Sequence, residues 1–294
     1  MMPIAAQMET GNGACSVASV LAEGYRCLSG TESGRLDAEL LLAHVLGCTR
    51  ADLIRRHFEG LSAAHVAVFH ELLHARRDGA PVAYLLQQRE FWSIGLRVTQ
   101  DTFIPRPETE LLVELALAHG RTDDTLRVAD SGTGSGAIAV AVAAERPRWS
   151  VIATDISKPA LAVARENADR LSLRNIGFVC GNWFAPMCEE AFDLILCNPP
   201  YVPSTDPHLL EGDLRFEPRL ALDGGGDGLL SLRRIIGAAR YSMRPHGWLM
   251  LEHGATQGRA VRELLNEQGY AGVRTHLDLA GLERVSIGRC EESG

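Results

Sequence analysis

Apolar positions in this chain recur first at helical spacing and then in short continuous runs, and the change of period divides the sequence. Leu41, Leu42, Val45 and Leu46 place one apolar face on a helix over residues 37–46, and Gly47 stops it; the head before it is expected to be frayed. Thr49 with Asp52 has the pattern of a capping box and opens a second helix that ends at Gly60. Ser62 opens a third, with Val66, Phe69, Leu72 and Leu73 on one face, terminated by Asp78, Gly79 and Pro81. A small helical bundle is therefore predicted from about residue 20 to residue 80.

Beyond Pro81 the period shortens. Phe91, Trp92 and Ser93, then Leu96, Arg97 and Val98 across Ile94 and Gly95, predict a short hairpin linking two domains. Pro107 and the acids of IPRPETE (residues 104–110) open a helix carrying Leu111, Leu112, Leu115 and Ala116 up to Gly120. From there strands over residues 126–130, 150–154, 176–180 and 192–197 alternate with helices over 137–145 and 159–170. A helix over 229–243, a strand over 248–252, a helix over 257–268 and strands near 273–276 and 284–288 complete a seven-stranded α/β sheet of Rossmann-like type. The domain reading is thus a helical bundle over 1–80, a hairpin linker over 81–108 and an α/β domain over 109–294.

Composition narrows the class only modestly. With 294 residues, 46% hydrophobic and 22% charged, the chain has room for two soluble domains. A net charge of −8 argues against a broad electrostatic grip on nucleic acid. Lys158 is the only lysine, so arginine carries nearly all the positive charge, which decides nothing about function. Seven cysteines without a C-x-x-C pair give neither a disulfide framework nor a zinc knuckle, and Cys180 and Cys197, inside apolar strands, are expected to be buried thiols in a reducing cytoplasm. Residues 1–16 lack the basic n-region and apolar core of a signal peptide, and no stretch approaches the roughly 18 apolar residues of a membrane span.

The chemistry gathers at strand ends. Gly132, Thr133, Gly134, Ser135 and Gly136 follow a strand and precede a helix, so the backbone can bend sharply, approach a ligand and aim a helix N-terminus at it. Nineteen residues after Gly136, Asp155 ends the next strand, where an acid accepts hydrogen bonds from ribose hydroxyls. Asn182 and Trp183 follow the third strand, an amide to read an adenine edge beside an aromatic to stack on its face. To this point a nicotinamide cofactor and S-adenosylmethionine compete. The fourth strand ends in Asn198, Pro199, Pro200 and Tyr201, which favours methyl transfer to nitrogen. A planar amide nitrogen is a poor nucleophile unless its N–H bonds are fixed, and the Asn198 oxygen with a proline carbonyl supplies two acceptors. Consecutive prolines hold φ near about −65° and add no N–H donor, and Tyr201 can pack on the flat substrate group. No metal site is expected: His44, His65, His70 and His74 lack an accompanying carboxylate pattern, and the calcium-like loop around Asp223 and Asp227 has Arg234 where a bidentate acid belongs. The glycine-rich segment 217–229 is expected to fold over the site.

The N-terminal bundle, IPRPETE, GTGSG, Asp155, GNWF, NPPY, EPRLALDGGGDGL, LEHG (residues 251–254) and the terminal RVSIGR together resemble the HemK/PrmC family over residues 35–290. The resemblance implies an S-adenosylmethionine-dependent methyltransferase that modifies the side-chain amide of the glutamine in the GGQ motif of bacterial peptide chain release factors. It implies cofactor contacts from Gly132, Thr133, Gly134, Ser135, Gly136, Asp155, Asn182, Trp183 and Asn198, and substrate amide binding by Asn198, Pro199, Pro200 and Tyr201. The expected partner is the release factor, docked on the bundle, with no membrane or nucleic-acid contact, by a cytoplasmic monomer. Four positions depart from the family pattern: Ser131 for leucine, Asn182 for an acid, Gln87 for glycine, and Leu282 with Glu283 for an Asn-Asp pair. The rival readings are a glutamine methyltransferase of a ribosomal protein, an exocyclic-amine methyltransferase of nucleic acid, and a cofactor-binding interaction protein without catalysis.

Overall fold

Side-chain caps set the helix starts in the first of two units, which the computed structural model separates after Leu86; residues 15–184 and 192–291 are described. The helices are α1 (Val17–Cys27), α2 (Gly34–Val45), α3 (Arg50–Arg55), α4 (Ala63–Arg77) and α5 (Val82–Leu86). Ser16 and Ser62 accept the backbone N–H groups of Ser19 and His65, and Thr49 with Asp52 completes the capping box predicted for α3. Val20, Leu41, Leu42, Phe69 and Leu73 form the centre of this unit's core. Asp37, nearly buried, is paired with Arg76 at 2.8 Å.

Three expectations change here. The head is not frayed from Val17 onward, because α1 buries Val17, Val20 and Leu21. The second predicted helix stops at Arg55 rather than Gly60, since the His57 and Glu59 carbonyls turn to accept the N–H groups of Ala18 and Val17 at 3.0 Å each and so satisfy the start of α1. The unit also continues past residue 80, because Val82, Leu85 and Leu86 of α5 pack on its core.

The second unit opens at Gln87, whose φ of +53° explains why a glycine is at home in that position. Strands β1 (Gln88–Phe91) and β2 (Ile94–Arg97) pair antiparallel through Trp92 and Ser93, both at positive φ as a two-residue I′ turn requires. A 3₁₀ turn at Pro107–Thr109 then leads into α6 (Glu110–Ala118). There follow β3 (Arg127–Ser131), α7 (Ala137–Glu145), β4 (Ser150–Asp155), α8 (Lys158–Arg170), β5 (Ile176–Cys180), β6 (Phe192–Cys197), α9 (Leu230–Ala239), β7 (Met243–Glu252), α10 (Gly258–Glu267), β8 (Tyr270–Leu277) and β9 (Glu283–Cys290).

The expected seven-stranded sheet is present, in the order β5-β4-β3-β6-β7-β9-β8, with only β9 antiparallel to its neighbours. Strand order reverses between β3 and β6, so a crevice opens at their carboxyl ends. Buried Val128, Val140, Val151 and Leu196 fill one face of the sheet, and Ile195, Ile235, Leu249 and Val261 the other. Cys197 is buried as expected, but Cys180 is exposed, because β5 is an edge strand and Cys180 lies at its end. Among the described residues no helix is long and apolar enough to cross a membrane.

Candidate active site

The turn after β3 is held from below by a buried carboxylate. Asp130 Oδ2 accepts from Thr133 Oγ1 at 2.6 Å and from the Ala139 N–H at 3.0 Å, fixing both the glycine loop and the first turn of α7. Its Oδ1 is buried without a partner, and burial raises its pKa to about 7. Gly132, Gly134 and Gly136 all sit at positive φ (76°, 56° and 85°), so the loop needs glycine for its path. The Gly134 N–H donates to Asp155 Oδ2 at 2.9 Å and the Ser157 N–H to Asp155 Oδ1 at 2.8 Å, which fixes this carboxylate at the end of β4.

Trp183 stands over the loop. A Cβ on Gly132 would lie 3.1 Å from its ring, so that glycine also makes room for the indole. Gly132, Thr133, Gly134, Ser135, Asp155, Asn182 and Trp183 line a cavity of about 520 Å³, and Asn198, Pro199, Pro200 and Tyr201 line the same cavity. Gly136 does not reach it; it starts α7 in the left-handed region with Ala164 3.0 Å from its notional Cβ.

At the β6 end, Asn198 Nδ2 donates to Thr109 Oγ1 at 3.1 Å, and Tyr201 OH donates to Glu252 Oε1 at 3.1 Å. Burial, then the neighbouring Glu252 charge, raises the Tyr201 pKa, so its hydroxyl is a donor throughout the neutral range. The Tyr201 carbonyl accepts from Gln257 Nε2 at 2.9 Å, which secures the far side of the tetrad.

Two loops build the rim. Phe103, Arg106 and Thr109 come from the segment before α6, and Leu214, Leu220 and Asp223 from the segment before α9. They are joined by Glu217, whose side chain is fully buried: Oε2 accepts the Ile104 N–H at 2.9 Å and Oε1 pairs with Arg106. Of segment 217–229, expected to fold over the site, Pro218, Leu220, Ala221, Leu222 and Asp223 line the cavity, and Asp223 accepts from Ser204 Oγ at 2.5 Å and the Gly225 N–H at 3.0 Å. Asp223 and Asp227 are occupied by Ser204, Arg219 and Arg233, and no metal-binding group of three or more ligands occurs among the described residues.

Sequence reasoning missed Thr109, Asp130, Glu217 and Glu252. Asp130 could have been noticed as an acid at a buried strand end, and Glu217 and Glu252 as acids inside apolar surroundings. Their partners lie too far along the chain to be paired by inspection.

Family models match in both units: the PrmC N-terminal domain over residues 19–86 and the methyltransferase small domain over residues 107–212. The chain is 50% identical over 256 residues to a protein of Xylella fastidiosa named release factor glutamine methyltransferase, covering 87% of this chain and 93% of that one. A Salmonella typhimurium protein of the same name is 45% identical over 269 residues, covering 92% and 97%. Among solved structures, a T. thermophilus 16S rRNA methyltransferase in complex with AdoMet and guanosine shares the fold, with a TM-score of 0.52 at 16% identity over 69% of this chain and 50% of that one.

Proposed function

Since the chain belongs to the release factor glutamine methyltransferase family, as its resemblance to HemK/PrmC anticipated, we propose that it methylates the side-chain amide nitrogen of the GGQ glutamine of a bacterial release factor, using S-adenosylmethionine. The observation that carries this reading is that the glycine loop, Asp155 and Trp183 line the same cavity as the NPPY tetrad.

The residues present fit the cofactor. Each Asp155 oxygen already accepts one N–H and keeps a further lone pair for a ribose hydroxyl. Trp183 offers an aromatic face for adenine, with Asn182 exposed beside it for the base edge. Nothing lies within 4 Å of a notional Cβ on Gly134, so the backbone is open to close approach there. When bound, S-adenosylmethionine supplies an electrophilic sulfonium methyl.

The tetrad does the positioning. With Nδ2 turned back to Thr109, Asn198 presents Oδ1 to the cavity as an acceptor. The Pro199 carbonyl supplies the second acceptor, on a backbone whose φ is fixed by the ring. Together they hold the two N–H bonds of the glutamine amide, turn its lone pair toward the methyl and stabilise the positive charge that grows on nitrogen. No base is required before attack: as the C–N bond forms, the bond from the methyl to sulfur would break with its electron pair left on a neutral thioether, and the nitrogen, acidic once alkylated, would lose its proton to water. The first unit is the docking surface for the release factor in the cytoplasm: Ile54 and Phe58, 80% and 91% exposed, offer it an apolar contact.

Incubation with S-adenosylmethionine and purified release factor, followed by mass spectrometry of the GGQ peptide, tests the reading. One added methyl on that glutamine is expected. Asn198→Ala should lower turnover on the order of 10²- to 10³-fold while cofactor affinity is kept. Methyl transfer to another acceptor in place of this glutamine would overturn it.

A further inference from the structure

Two arginines stand side by side near the start of α9, and the fold uses only one of them. Arg233 pairs with Asp227 at 2.5 Å, and Asp227 Oδ1 also accepts the Leu229 N–H at 3.0 Å, so that arginine secures the entry into the helix. Arg234 is exposed and has no hydrogen bond or ion pair among the described residues, yet it lines the same cavity as the tetrad. The other arginine of the cavity wall, Arg106, is taken up by Glu217. Among the described residues that line the cavity, Arg234 is therefore the cationic side chain whose donors are uncommitted.

The helix face that carries it is fixed. Leu230 and Arg234 are four positions apart, one turn of α9, and share a face. Leu232, Ile235 and Ile236 are buried on the opposite face, which sets the rotation of the helix about its axis. Leu230 is 44% exposed and Leu220, before the helix, 64%; both line the cavity beside Arg234. This rim is fastened to the tetrad. Directly after Tyr201, the Val202 N–H donates to the Leu222 carbonyl at 3.0 Å and the Gly224 N–H to the Val202 carbonyl at 2.8 Å; the Leu230 N–H then donates to the Gly224 carbonyl at 2.9 Å. Gly224 approaches so closely that a Cβ on it would lie 2.8 Å from Tyr201 Cα. Arg234 stands one turn, about 6 Å, along the helix from that anchor.

We propose that Arg234, with Leu220 and Leu230, forms an entry lip that grips the main chain of the release factor loop carrying the target glutamine, the guanidinium donating to backbone carbonyls of that loop; this rests on the GGQ reading given above. The chemistry of the segment selects this occupant. The two residues before the glutamine are glycines and offer no side chain, so carbonyls and N–H groups are all that a lip can hold there. A guanidinium has five N–H donors in a planar fork and no acceptor, so it takes carbonyls, two at a time where they lie side by side. Glycine loses more conformational freedom on ordering than any other residue, so a contact that fixes the backbone next to the reacting amide serves binding directly. The two leucines exclude water from the contact, and a hydrogen bond in such surroundings is stronger than one in water.

The test uses the full chain, a short uncharged GGQ peptide and intact release factor. Arg234→Ala should raise KM for the peptide about tenfold with kcat kept, the pattern of lost ground-state binding, and the affinity for S-adenosylmethionine measured by calorimetry should not change. Arg234→Lys should recover only part of the loss, because an ammonium keeps the charge without the fork. Leu220→Ser with Leu230→Ser should raise the same KM. An unchanged peptide KM in Arg234→Ala overturns the lip. A fall in cofactor affinity that accounts for the whole loss also overturns it and gives Arg234 to the carboxylate of the cofactor. A loss seen only with intact release factor and abolished by high salt overturns it as well, leaving long-range attraction in its place. Failure of the parent enzyme to methylate the GGQ glutamine would overturn the reading beneath the lip and the lip with it, whereas a parent that methylates the peptide with the KM of Arg234→Ala overturns the lip alone.

Discussion

Glu217 and Ile104 meet at 2.9 Å, carboxylate oxygen to backbone N–H, although 113 positions separate them. That bond, with the Arg106 pair on the other oxygen, fastens together the two loops that form the cavity rim. Removing the carboxylate strands a buried N–H and an arginine whose side chain is only 29% exposed. Glu217→Ala should therefore cost about 3 kcal/mol of stability, read from urea unfolding, and raise KM for the release factor. A stability within about 0.5 kcal/mol of the parent would show that the rim does not depend on this contact.

Gly132 combines a φ of +76° with an indole ring 3.1 Å from its notional Cβ. Gly132→Ala adds strain and displaces Trp183, so affinity for S-adenosylmethionine, measured calorimetrically, should fall on the order of tenfold or more. Gly134→Ala shares the backbone strain but meets no atom within 4 Å, so it should lose less. Equal losses would exclude the indole as the reason.

Asp130 and Glu252 are both raised to about 7 in the folded chain, from ordinary values of 3.8 and 4.5. Between those limits the folded state holds protons that the unfolded state has released. Their contribution to stability is therefore complete below about pH 4 and is lost as pH rises through about 7. Asp130→Asn keeps the acceptor for Thr133 and Ala139 without the titration, so its unfolding free energy should fall less steeply over that interval. An identical pH slope would remove Asp130 as the source.

Ile54 and Phe58 are exposed apolar side chains four positions apart on the first unit. Ile54→Ser with Phe58→Ser should raise KM for intact release factor while leaving a short GGQ peptide unaffected, because a loop alone offers little area for a stable complex. Equal effects on both substrates would move the docking surface elsewhere.

Local pattern carried most of the fold and part of the site. The buried strands at residues 128–130, 151–154 and 194–197 were legible because parallel strands covered on both faces read as continuous apolar runs. The cavity residues of both motifs were legible because strand ends, glycines and prolines mark turns locally. Strand β7 was read five residues short, from Trp248 instead of Met243, since Pro245 and Gly247 look like breakers; the structure accommodates them with His246 at a φ of +67° and a register shift between Phe192 and Leu194. Helix α1 was missed because its start is completed by carbonyls forty residues away, at His57 and Glu59. Thr109 and Glu252 escaped notice for the same reason: their side-chain partners, Asn198 and Tyr201, lie 89 and 51 positions away.

The pair of acceptors proposed for the substrate amide has a consequence for substrate fidelity. Asn198 directs an Nδ2 hydrogen to Thr109, and Pro199 and Pro200 have no N–H to give, so a glutamate in place of the glutamine would bring a carboxylate against the Asn198 and Pro199 oxygens proposed to hold the amide. A release factor whose glutamine has deamidated differs from the intact one by a single nitrogen. In the proposed site that difference decides between a held substrate and a repelled one, and the modification would be confined to factors whose amide is still intact.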